Sequence, residues 1–167
     1  IVAAYISALF SFTWTVGALL VASWQGRAIQ IAVIGGGILI VMGAVGLTLF
    51  SVEGPVIMIG ASLAVMGMGV GTSNNHVIAL TIECAQPGEE TLVASSVQTM
   101  RTMGLAFGSA FAGLIANSAG LSEGATPDIV ARAVDLLNQT GIALAVLTLL
   151  SLVIFYHYYQ RDKSSNQ

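Results

Sequence analysis

Nothing in this sequence limits its fold more than the spacing of its charges. Charge-free runs cover residues 1–26, 28–52, 54–82, 102–122 and 136–160. A helix that crosses about 30 Å of hydrocarbon needs roughly 20 consecutive apolar residues, and each of these runs is that long. Charged side chains make up 8% of the chain, against about 25% in a soluble domain. So few charges cannot cover a water-facing surface. The reading is all-α: a polytopic transmembrane bundle of about five spans, forming one membrane domain over residues 1–167.

The expected spans are about 1–22, 28–50, 56–82, 91–117 and 140–159. Ser23-Trp24-Gln25-Gly26-Arg27 interrupts the first two, and Ser51-Val52-Glu53-Gly54-Pro55 the next two. Gln86-Pro87-Gly88 marks a loop before the fourth, because a Pro-Gly pair breaks helical structure. Between the last two spans, Thr126-Pro127-Asp128 is a helix-start signal. Ile129, Ala133, Leu136 and Leu137 then recur at helical spacing, with Asp128, Arg132 and Asp135 opposite. This predicts a short external interfacial helix over about 127–137. Residues 160–167 read as a cytoplasmic tail, preceded by an interfacial cluster of Tyr156, Tyr158 and Tyr159.

Basic residues in short loops favour the cytoplasm. Placing the 23–27 and 83–90 loops and the tail inside assigns Arg27, Arg161 and Lys163 to the cytoplasm and leaves only Arg132 outside. The N-terminus is therefore expected outside and the C-terminus inside, in a plasma or inner membrane. The chain starts at Ile1, within an apolar run and without a basic leader, as the interior of a longer protein would.

Several functions lack their signatures. No basic stripe suits a nucleic-acid backbone. Cys84 stands alone, and His76 and His157 are far apart in sequence, so no metal-ligand cluster is visible. Neither a zinc-protease helix motif nor a nucleophile elbow occurs. Gly35-Gly36-Gly37 and Gly67-Met68-Gly69-Val70-Gly71 lie in apolar runs with no preceding strand, unlike phosphate loops. The chain is read as a non-enzyme without cofactor or metal.

The span interiors hold the candidates for function. Thr72, Ser73, Asn74, Asn75 and His76 form the densest polar cluster. Thr72, His76 and Glu83 fall within about 60° of one another, while Asn74 and Thr81 point to nearly the opposite side. Such a helix must be enclosed by others or line a wet cavity, since unsatisfied groups in lipid cost several kcal/mol. Its residues either face a substrate or tie helices together. Arg101, about ten residues into the fourth span, is an ionisable group at membrane depth. It shares a face with Ala94, Val97, Gln98, Gly108 and Ala112, and Gly104, Gly108 and Ala112 have the spacing that lets helices approach closely. Arg101 thus faces protein or reaches toward the cytoplasmic surface.

With these residues in view, the chain resembles the C-terminal part of a major facilitator superfamily transporter, in the drug:proton antiporter branch of fourteen-helix multidrug exporters. The resemblance rests on Gln86-Pro87-Gly88-Glu89-Glu90 leading into Ala94-Ser95-Ser96, then Arg101-Thr102-Met103-Gly104 and Gly108. It spans essentially the whole chain as the last five helices. It implies secondary active export of drugs or other small organic molecules, coupled to protons, from a cavity between two halves. The missing N-terminal half would be the partner. Thr72, Asn74, Asn75, His76 and Arg101 become translocation candidates, and Gly26 and Arg27 a remnant of the superfamily's cytoplasmic loop motif. Ser23 and Trp24 stand where that motif has Asp and Arg. The alternative is a stand-alone structural or accessory membrane subunit, or a decayed transporter fragment, without transport.

Overall fold

The computed structural model describes residues 2–165 and contains five helices: α1 (Val2–Val21), α2 (Arg27–Phe50), α3 (Val56–Glu83), α4 (Glu90–Ser118) and α5 (Pro127–Ser165). Four of them are long and apolar enough to cross a membrane: Ala4–Val21, Arg27–Phe50, Val56–Glu83 and Pro127–Arg161. The first departure from the expected five is at α4, which does not reach that apolarity. Ser95, Ser96, Gln98, Thr99, Arg101 and Thr102 crowd its first half and dilute its apolar character. Ile1 and the last two residues of the expected tail lie outside the described residues, as does the side chain of Lys163.

α3 is the centre of the bundle. It packs against α1 and α2; α5 packs on α2, and α4 joins α5 and α3. Both seams of α3 are closed by residues without bulk. On the α1 side, a Cβ at Gly67 would lie 2.5 Å from the Phe10 carbonyl, and one at Gly71 would strike the Trp14 carbonyl. Gly67 and Gly71 are one turn apart, so they present one face. Gly69, about 200° from Gly67, faces α2, where a Cβ on Gly36 would lie 2.6 Å from the Gly69 carbonyl. Interleaved glycines therefore let one helix press its backbone against two neighbours, the arrangement that small residues permit in lipid.

Bulk is distributed inversely to a soluble core. Among the described residues Val33 is the largest fully buried side chain, whereas Leu49, Ile57, Leu105 and Phe107 are exposed. One apolar cluster joins three helices at the end where α2 starts and α3 and α5 finish: Val33, Leu80 and Tyr156.

A second correction concerns α5. The amphipathic stretch 127–137 and the apolar run 140–159 form one unbroken helix of 39 residues that continues through the first part of the expected tail. At about 1.5 Å per residue it is about 58 Å long, well beyond one hydrocarbon thickness. Pro127 opens it as expected, with the Val130 N–H donating to the Thr126 carbonyl at 3.0 Å. Asn138-Gln139-Thr140 does not break it, because each side chain is engaged without disturbing the helical ladder. The Gln139 amide donates to Asp135 and the Thr140 hydroxyl to the Leu136 carbonyl, both at 2.8 Å, and Asn138 reaches across to Ser51.

Candidate functional site

The polar cluster of α3 is divided among neighbours. Thr72 and Ser73 donate their hydroxyls to the Gly69 carbonyl at 3.0 and 2.9 Å. Both pack toward Gly36 of α2, where an added Cβ would meet the Thr72 Oγ1 and the Ser73 Cβ. His76 reaches the other way. Its Nε2–H donates to the Val21 carbonyl at 3.0 Å, which places the proton on Nε2 and ties the last third of α3 to the end of α1. Val21 has one of the last carbonyls of α1, beyond the helix's own ladder, and it also accepts from the Trp24 N–H at 3.0 Å. Asn74 is half-buried and Asn75 exposed, joined by a long 3.4 Å amide contact. Glu83 accepts from the Tyr159 hydroxyl of α5 at 2.8 Å. These six residues are thus not gathered around one space.

α4 carries the sharper contrast. At about 100° per residue, Ala94, Val97, Arg101, Gly104, Gly108, Ala112 and Ile115 fall within about 80°. Ala94, Val97, Ala112 and Ile115, toward the two ends, are half-buried, whereas Arg101, Gly104 and Gly108 between them are exposed. A Cβ on Gly104 or Gly108 would meet nothing within 4 Å. The open middle therefore lies on the side by which α4 joins the bundle. Arg101 makes no hydrogen bond or ion pair among the described residues. The small-residue face thus meets no helix here, unlike the glycine seams of α3.

Beside the Arg101 face runs an exposed polar arc of Ser95, Gln98, Thr102 and Ser109. Sequence reading missed this arc, although its spacings of three, four and seven residues repeat at helical period. Its hydroxyls donate to carbonyls one turn back: Ser95 to Leu92, Thr102 to Gln98 and Ser109 to Leu105. The remaining arc is large and apolar, with Met100, Met103, Phe107, Phe111 and Leu114 all exposed. α4 therefore offers lipid-compatible bulk on one side and a polar, cationic, small-residue surface on another.

At the loops, Gly26 adopts φ 59°, a left-handed conformation that favours glycine, and Arg27 begins α2. The backbone alone thus accounts for this glycine. Gly88, at φ 93°, turns the chain before α4, and its N–H donates to both carboxylate oxygens of Glu90 at 3.1 and 3.2 Å. Bonds from the backbone N–H of Glu90 itself and from Gly88 hold this carboxyl below its ordinary value of 4.5.

No family model matches the chain, and no curated protein or solved structure is significantly similar to it.

Proposed function

We propose that the chain is the C-terminal part of a membrane-embedded secondary transporter of the major facilitator type, exporting small organic molecules in exchange for protons. In this reading α4 also crosses the bilayer, as the fourth of five spans, and its Arg101 side lines a water-filled path between two halves of the transporter. One observation carries it: α4 turns Arg101, Gln98 and Thr102 toward open space while Phe107, Phe111 and Leu114 cover a different arc. An arginine at the centre of a spanning helix costs about 2.5–3.5 kcal/mol on insertion scales, so a wet or protein-lined setting is required. The sequence pattern from Gln86 to Gly108 supports the same assignment. His76 acts as an interhelical tie in this scheme, and Asn75, exposed on α3, is the remaining translocation candidate of that helix.

The test is energised efflux of ethidium from everted membrane vesicles that contain the full polypeptide carrying this segment. Arg101→Gln is expected to slow efflux at least tenfold, with Arg132→Gln unchanged. An inserted, stable protein that moves neither ethidium nor a panel of other organic cations and anions would overturn transport and favour the accessory-subunit reading. The accompanying orientation, N-terminus outside, is tested at Cys84, which is exposed in the loop after α3. A membrane-impermeant maleimide should label it from the cytoplasmic face; labelling of intact cells from outside would reverse the topology.

A further inference from the structure

α2 and α5 touch at two levels and part between them. At one level a Cβ on Gly37 would lie 2.8 Å from the Leu149 side chain. At the other, Asn138 of α5 donates to the hydroxyl of Ser51 at the end of α2. The two contacts are 14 residues apart along α2, about 21 Å at the helical rise. They hold open a cavity of about 360 Å³, floored by Met66 of α3 and lined by Ala44, Gly141, Ala145 and Thr148.

The cavity exists because small residues meet where large ones would close it. Ala44 and Ala145 are buried on facing helices, and a Cβ added to Gly141 would find nothing within 4 Å. Its volume exceeds the apolar hole of about 150 Å³ that admits benzene and reaches the lower end of ligand pockets, about 300 Å³. Water is a poor occupant. A buried water needs two to four polar partners, and polar groups here are few: Thr148, which donates to the Leu144 carbonyl at 2.8 Å, and Asn138, which gives an amide N–H to Ser51. The cavity opens on the bundle surface beside Leu144 of α5, a lining residue that is more than half exposed. That rim is apolar and continuous with the outward hydrocarbon-compatible face.

We infer that this crevice is a lipid site that seats one acyl chain of a bilayer phospholipid, with the Ser51–Asn138 pair at the headgroup end. The inference rests on the membrane reading but not on transport, and it is remote from the Arg101 side of α4. The chain is recognised by shape and apolarity alone, so the site discriminates by chain length and unsaturation rather than by headgroup.

The experiment uses the full polypeptide in nanodiscs containing phosphatidylcholine with a diazirine in one acyl chain, followed by photolysis and peptide mapping. Labelling is expected to concentrate on 40–48 and 137–148 over the outer face of α2 and α5. Gly141→Leu, which fills the gap, should lower labelling of both segments at least fivefold while leaving label on the exposed Leu49 and Leu150 regions intact. Thr148→Phe, at an exposed position, gives an independent block with less risk to folding. Equal labelling in the wild-type and both filled variants would overturn the site. So would labelling by a free diazirine fatty acid with none by the phospholipid. Absence of label anywhere on the chain would overturn the membrane reading itself, a result distinct from loss at the crevice alone.

Discussion

The imidazole of His76 donates to the main-chain carbonyl of Val21, 55 residues earlier in the chain and 3.0 Å away. The bond spans the α1–α3 seam where α1 ends, on a carbonyl that also accepts from the Trp24 N–H. It makes His76 a tie between helices.

His76→Ala should therefore lower stability by the amount of one interhelical hydrogen bond, about 0.6 kcal/mol and at most about 1.7 kcal/mol. His76→Gln, whose amide also donates, should recover part of it. Thermal unfolding in detergent measures both. An alanine variant as stable as the parent would mean that the bond contributes nothing, and a change in the pH dependence of efflux at unchanged stability would return His76 to the transport path.

The glycines divide into two groups with opposite expectations. Gly71→Ala drives a methyl into the Trp14 carbonyl, whereas Gly104→Ala and Gly108→Ala enter empty space. Overpacking of this kind costs about 1–3 kcal/mol; the α4 variants should be neutral or slightly stabilising, because alanine is the better helix former. Melting and surface expression report the difference. Comparable losses at Gly108 and Gly71 in the full polypeptide would reveal another helix seated on α4.

Ser51 and Asn138 should behave as a coupled pair. Ser51→Ala, Asn138→Ala and the double variant form a cycle whose interaction energy is expected near 0.6 kcal/mol, with about 1.7 kcal/mol as a ceiling. Strict additivity in denaturant or thermal unfolding would show that α2 and α5 are not held at this level.

Much of the fold was legible because its strongest signal is one-dimensional. Charge-free length alone located α1, α2, α3, the apolar stretch of α5 and the latter part of α4, and Pro127 and the Pro87-Gly88 turn marked two boundaries within a residue or two. The continuity of α5 was not legible. The interfacial helix and the last span were read as separate, with residues 138–139 between them, and no local pattern announces that Asn138 bonds to a partner 87 positions away. The partners of the α3 cluster were not legible for a similar reason. Periodicity groups Thr72 with His76, but it does not reveal that α2 takes one and the end of α1 takes the other. The polar arc of α4 was readable from its spacing and was overshadowed by Arg101.

The turn before α4 should respond to acid. The Glu90 carboxyl lies below its ordinary 4.5, so the turn's stabilisation is complete above that value and fades as pH falls through the lowered one. Hydrogen exchange at the Gly88 amide should accelerate in that acidic window, relative to the intrinsic pH trend of exchange. Glu90→Gln should abolish this extra acceleration. Identical exchange profiles for the two proteins would remove the carboxylate from any part in the turn.

The absence of any buried residue in α4, beside the backbone-to-backbone seams joining α1, α3 and α2, has a bearing on biogenesis. Regions with few buried contacts open at the lowest free energy, so α4 is the element most easily detached from its neighbours. During insertion the first three helices can lock together as soon as α3 emerges. α4 then joins an assembly that is already built, and its seat depends on α5, which is synthesised after it. The order of synthesis and the order of docking thus differ for this one helix, which would be the last to find its place and the first exposed to quality control if α5 were truncated.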